Sequence, residues 1–184
     1  MAEKTLIGLS GSLRSGSFNS ALLATAAELA PEGLKVEIAT IRGIPLYDGD
    51  AEEKDGIPQV VTELKDRVAA ADGLLLATPE YNASIPGVLK NAIDWMSRPG
   101  KDIARVFGDK SVGVMGATPG PGGTRLSQTA WLPIFRLLNM RPFFGKSVFL
   151  NGAGQAFDAQ GRLTDEKLRD VVKQFMSGLA RFLG

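Results

Sequence analysis

A chain of 184 residues with 44% hydrophobic residues can bury one full core without disulfides or metals. Its 21 Lys and Arg against 20 Asp and Glu leave a formal charge of +1, which excludes a global field for nucleic acid or an anionic membrane, so any anion site must be local. The absence of cysteine and histidine excludes thiolate nucleophiles, Cys- or His-ligated metals and the commonest general base.

In chain order, the opening MAEKTLIGLSGS holds too few consecutive apolar residues for a signal segment. No later run approaches the ~18 needed to span a bilayer, so a soluble cytoplasmic protein is expected. The apolar run at 5–9 predicts a first strand, and 18–30 a first helix in which Phe18, Leu22, Thr25, Ala26 and Leu29 share one stripe. Strand 36–41 and helix 57–71 follow, then strand 73–78 and helix 86–97, strand 111–117 and helix 124–140, strand 146–150 and helix 165–183. Ser17 and Thr164 are expected as helix starts, Pro86 opens the third helix, and Pro133 should kink or split the fourth. Several of the strand runs are nearly continuous, as befits strands covered on both faces. Five strands alternating with five helices predict a single α/β domain, residues 1–184, with a parallel sheet and right-handed crossovers.

In such a sheet ligands collect beyond the carboxyl ends of the strands. Three polar segments fall there: SGSLRSGSFN at 10–19, TPEYNASIPG at 78–87 and ATPGPGGTR at 117–125. The first offers backbone amides, the Ser12 and Ser17 hydroxyls and the Arg14 guanidinium around a helix N-terminus, a place that favours phosphate. Neither G-x-G-x-x-G nor G-x-x-x-x-G-K-[ST] is present, so neither a Rossmann dinucleotide site nor a P-loop is supported. Taken alone, the Ser-rich turn fits plain N-capping as well as it fits an anion cradle. Trp95 and Trp131 read as core or interface residues, and Asn91 and Asp94 as structural. Arg105 and Arg125 are the candidates for the phosphates of a nucleotide or for an anionic substrate.

The stretch TPEYNASIPGVLKNAIDWMSRP at 78–99, paired with GSLRSGSFN, resembles the NADPH-dependent FMN reductase family, which includes bacterial quinone and chromate reductases and azoreductase-like enzymes. The resemblance runs over essentially the whole chain. It implies a flavodoxin-like, doubly wound sheet of five parallel strands in the order 2-1-3-4-5, with helices on both faces. It implies noncovalent FMN, its phosphate enclosed by Ser12, Arg14, Ser17, Phe18 and Asn19. By the same motif Pro79, Glu80, Tyr81, Asn82 and Ala83 would pass along the isoalloxazine edge, with Ala117 and Thr118 at its remaining polar edge or the ribityl chain. Many relatives carry an aromatic residue after P-E-Y-N where this chain has Ala83, which implies a smaller or differently filled pocket wall.

The activity implied is ping-pong hydride transfer from NADPH or NADH through FMN to a small-molecule oxidant: a quinone, an azo compound or a metal oxyanion such as chromate. The alternative is a flavodoxin-like electron carrier or flavin-binding regulator without turnover. Carriers of that kind tend to be acidic and to use T/S-x-T-G-x-T, neither of which this chain shows. The family's dimers and tetramers imply a homodimer or homotetramer. The apolar stretch AWLPIFRLLNMRPFF at 130–144, and the helix carrying Trp95, are expected at that interface.

Overall fold

The computed structural model describes residues 3–184. In chain order the elements are β1 (Lys4–Ser10), α1 (Phe18–Glu28), β2 (Leu34–Ala39), α2 (Gly49–Asp55), α3 (Gln59–Ala70), β3 (Gly73–Ala77), α4 (Gly87–Met96), α5 (Ile103–Val106), β4 (Ser111–Ala117), α6 (Arg125–Ala130), α7 (Leu132–Leu137), β5 (Arg141–Pro142), β6 (Val148–Leu150), α8 (Ala153–Ala156) and α9 (Glu166–Leu183). All strand pairs are parallel, in the order β2-β1-β3-β4, and β4 then pairs with both β5 and β6. β3 reads GLLLA and is buried at every position, the signature of a strand covered on both faces. β2 is buried only at its ends, Leu34 and Ala39, and is open or partly open between them, as an edge strand can be.

Two apolar clusters flank the sheet. On one face α3, α4, α5 and the α6–α7 pair cover Ile7, Leu9, Leu74, Leu76 and Val112, with Trp95, Trp131 and Phe135 among the largest buried side chains. On the other, α1 and α9 cover Leu6, Leu75, Met115 and Val148 through Leu22, Leu23, Val172, Phe175 and Leu179. The layering is the doubly wound architecture expected.

The structure departs from the expected pattern at identifiable places. The fifth strand is two short pieces rather than one. Arg141 and Pro142 register with Ser111 and Val112, residues 143–147 leave the sheet, and Val148–Leu150 returns to register with Met115–Ala117. Pro142 and the Gly145 turn make a continuous ladder unfavourable there. The helix expected at 124–140 breaks in two at Trp131, with Pro133 in the first turn of α7, where its missing N–H costs nothing. Asp165, not Thr164, caps α9 by accepting from the Leu168 amide at 3.1 Å, while the Thr164 hydroxyl bonds the Ala156 carbonyl. On α1 the buried stripe includes Leu23, whereas Phe18 and Leu29 are only partly covered. α2, α5 and α8 were not expected, being too short to show a period.

Candidate functional site

The three polar segments meet at the carboxyl edge of the sheet. The Gly11 amide donates to the Ala77 carbonyl at 2.8 Å, joining the first segment to the end of β3. A Cβ on Gly11 would stand 2.8 Å from both Pro79 and Pro86, so only glycine lets the first segment rest against the second. Asn19 ties the start of α1 to β4. Its amide nitrogen donates to the Ala117 carbonyl at 2.9 Å, and its oxygen accepts from the Ala117 amide at 3.0 Å. Glu80 ties the second segment to the third, one carboxylate oxygen accepting from the Leu126 and Ser127 amides at 2.9 and 3.2 Å.

Around the α1 N-terminus the backbone forms a nest of donors. Ser17 caps the helix, its hydroxyl accepting from the Ser20 amide at 3.3 Å. Among the described residues, no partner is found for the amides of Ser15, Gly16, Phe18 and Asn19. The Ser12 hydroxyl accepts from the Arg14 amide at 3.3 Å, and the Arg14 guanidinium reaches back to the Gly16 carbonyl at 3.0 Å. Arg42, from the segment after β2, donates to the Leu13 carbonyl and braces the turn from outside. Phe18 stacks on Phe157 with ring centroids 5.8 Å apart, so it offers the nest an amide rather than a ring. Four open amides, a helix dipole and a guanidinium are the donors that a phosphate monoester such as that of FMN takes.

In the second segment, Tyr81 and Ser84 exchange two backbone hydrogen bonds of 3.1 and 3.0 Å across Asn82 and Ala83. Both central residues are left-handed, with φ of 50° and 60°, the conformation of a type I′ turn. Asparagine tolerates it, but Ala83 pays a steric penalty there. The turn holds Tyr81 out at 51% exposure above the strand ends, and Asn82 and Ala83 beside it are also open.

Beneath the turn lies a buried polar network that sequence reading missed. Thr78 Oγ1 lies 2.8 Å from the Ser127 hydroxyl and accepts from Trp131 Nε1 at 3.2 Å. A threonine ending the apolar run of β3 was the one available signal. Gly116 lies against it, since a Cβ there would sit 2.5 Å from the Thr78 carbonyl and would also collide with Thr124.

Not every expected residue presents free groups to the site. The Ala117 amide and carbonyl are both taken by Asn19, and the Thr118 amide donates to the Leu150 carbonyl at 2.9 Å. Neither backbone amide is therefore free for a ligand. Arg125 lies at the α6 start with its guanidinium 4.9 Å from the centre of the Phe149 ring, close to the third segment. Arg105 is not brought to the site. It follows α4 and precedes β4, at the amino edge of the sheet, where it pairs with Asp66 at 2.9 Å and Asp102 at 3.3 Å.

Asn91 and Trp95 are structural. Asn91 bonds the Pro45 carbonyl at 2.8 Å and the Tyr47 amide at 2.9 Å, and Trp95 Nε1 reaches the same carbonyl, so α4 clamps the excursion after β2. Within that excursion Glu52 receives both Tyr47 and Arg98. The Arg98 guanidinium holds the Glu52 carboxyl below the usual range, and the Glu52 carboxylate pushes the Tyr47 phenol up.

The family model for NADPH-dependent FMN reductase matches residues 5–155. An NAD(P)H-dependent FMN reductase of Pseudomonas aeruginosa is 45% identical over 174 residues, covering 95% of this chain and 92% of its own. An NADPH:quinone oxidoreductase of Arabidopsis thaliana is 38% identical, covering 95% and 89%. The solved structure of FerB, a flavoenzyme NAD(P)H:(acceptor) oxidoreductase of Paracoccus denitrificans, superposes with a TM-score of 0.83 at 32% identity, covering 97% and 98%. With its fold, its amide nest and its P-E-Y-N turn assembled as described, the chain belongs to the NADPH-dependent FMN reductase family.

Proposed function

We propose that this chain is an FMN-dependent NAD(P)H oxidoreductase that reduces quinones. The observation that carries the reading is the set of amides at the α1 N-terminus that find no partner among the described residues, at the same carboxyl edge of the sheet as the left-handed Asn82–Ala83 turn. Ser12, Arg14, Ser17 and the amides of Phe18 and Asn19 would hold the phosphate. Pro79, Glu80, Tyr81, Asn82 and Ala83 would flank the ring, with Ala117 and Thr118 as its floor. The redox chemistry that bound FMN supplies is hydride acceptance from NAD(P)H, then two-electron delivery to an oxidant. The protein's share is to fix the ring between rigid segments and to leave one face open beside the exposed Tyr81. Glu80 acts through its cap on α6, which orders the segment holding Arg125. Small Ala83 leaves that face wide, suited to quinones and, by the same opening, to azo compounds and chromate.

Titrating apo-protein with FMN, then adding NADPH and a quinone, tests the reading. A flavin band that NADPH bleaches and quinone restores, with parallel double-reciprocal lines, is expected. Binding of FMN without bleaching would leave a carrier or regulator instead. Arg14→Ala should weaken FMN binding by about 1.5 to 3 kcal/mol, the worth of a charge-assisted phosphate contact.

The reading extends to assembly and location. Leu126, Leu132, Leu137 and Phe144 are exposed around α6, α7 and the excursion between β5 and β6, and a homodimer or homotetramer would cover them. NAD(P)H is supplied in the cytoplasm, which is where such an enzyme would work; no helix among the described residues is long and apolar enough to cross a membrane. Cell fractionation checks the location.

A further inference from the structure

Beside the amide nest, at the carboxyl ends of β1 and β2, lies a separate cavity of about 420 Å³. Its apolar lining is Leu13, Leu23, Ile38 and Ile41, its hydroxyls come from Ser10, Ser12 and Ser20, and its basic lining is Arg14, Arg42 and Arg67. Four of the eight arginines outside the cavity are spent on carboxylates: Arg98 on Glu52, Arg105 on Asp66 and Asp102, Arg162 on Asp158, Arg169 on Glu28. Arg14 and Arg42 are not so spent, and they line one cavity together. Among the described residues neither meets a carboxylate, and each is tethered by a single backbone carbonyl, Gly16 for Arg14 and Leu13 for Arg42. The nearby Glu37 carboxylate is already engaged by Lys35 at 2.6 Å and lies 3.8 Å from Arg67. Two guanidiniums with unused donors therefore share one cavity in a chain whose net charge is only +1.

We propose that this cavity takes the adenosine 2′-phosphate of NADPH, with Arg42 as the residue that distinguishes NADPH from NADH. The inference rests on the reductase reading above and deepens it. A phosphate monoester carries close to two negative charges near neutrality, and arginine's planar fork matches its oxygens. The apolar lining residues give the adenine ring a surface. The neighbouring amide nest is kept for the flavin phosphate, so the two anions are held by different donors: backbone N–H groups for one, guanidinium for the other. Arg14 stands between them and lends charge to both, whereas Arg42 touches the nest's turn only through the Leu13 carbonyl and turns its remaining donors to the cavity.

Isothermal titration of the FMN-loaded protein with adenosine 2′,5′-bisphosphate, and in parallel with adenosine 5′-monophosphate, is the test. Arg42→Gln keeps a donor for the Leu13 carbonyl and removes the charge. It should weaken the bisphosphate by about tenfold or more, as expected for a lost charge-assisted contact, and leave the monophosphate and FMN affinities as they were. Arg42→Lys should recover part of the loss, because the charge returns without the fork. Equal affinity of the wild type for the two nucleotides, or a preference that survives Arg42→Gln, overturns the inference while the flavoenzyme reading stands. Failure of the wild type to take up FMN overturns that reading instead.

Discussion

Asn19 shows how one side chain can hold the candidate site together with both ends of its carboxamide already engaged. It sits in the polar run that predicts a phosphate cradle, yet its carboxamide is buried and spends both ends on Ala117. Asn19→Ala would leave the Ala117 amide and carbonyl unpaired in the interior. A loss of about 2 to 3 kcal/mol is expected by urea denaturation; a change within the error of the measurement would show that water replaces the pair. Ala83 makes the opposite case, a residue whose side chain does little and whose backbone does much. With φ at 60°, Ala83→Gly should stabilise apo-protein by about 0.5 to 1 kcal/mol, the steric relief exceeding the entropy that glycine returns to the unfolded chain. A lower denaturation midpoint would mean the turn is not strained. The P-E-Y-N spelling was legible in the sequence, but its left-handed pair was not, since neither Asn82 nor Ala83 is glycine.

Among the elements, the α3–α5 contact is held by a buried cation. Lys65 is nearly closed off from solvent and donates to Asp102 at 2.8 Å and to the Arg98 carbonyl. The Lys65 hydrogen bond lowers the Asp102 carboxyl below its ordinary value of 3.8, with Arg105 adding to it against a smaller desolvation effect. A depressed carboxylate stabilises the fold above its unfolded pKa, and that contribution is lost as pH falls through the folded value. Asp102→Asn should therefore lower the melting temperature near neutrality, and its melting temperature should fall less than the wild type's between about pH 5 and pH 3. Calorimetry at those pH values decides it, and parallel curves would remove the linkage. The same scale shows where local pattern misled. A run of apolar residues at 146–150 signalled a strand, but whether it met β4 alone or shared it with residues 141–142 depended on the 143–147 excursion, which has no period to read.

For the whole molecule, the exposed apolar surface is the open account. Phe135 lies only 2% exposed and stacks on Trp131, and Trp95 is buried as well, so these belong to the chain's own core rather than to an interface. Charge at Phe135 would unfold the protein and say nothing about assembly. Leu137 at 81% exposure and Phe144 at 71% carry the expectation instead. Leu137→Glu should yield a species near 19.5 kDa by light scattering with the circular dichroism spectrum retained. A wild type that already runs at that mass would sink the assembly. Although the strand order was implied only by the family resemblance, the alternation of continuous apolar runs with amphipathic ones was enough to establish a parallel α/β sheet, because burial on both faces leaves its mark residue by residue. The same is true of the Ser-rich cap at α1 and of the carboxyl-edge location of the polar segments, both of which follow from local chemistry and the direction of the strands. Only the tertiary structure could decide that Asn19 serves β4, that Glu80 caps a helix more than forty residues on, that Arg105 lies at the far edge of the sheet, and that Arg14 and Arg42 share a cavity without a carboxylate. Each of those depends on which partner stands nearby across the fold, and charge or hydrogen-bonding capacity in a sequence does not say where it will be spent.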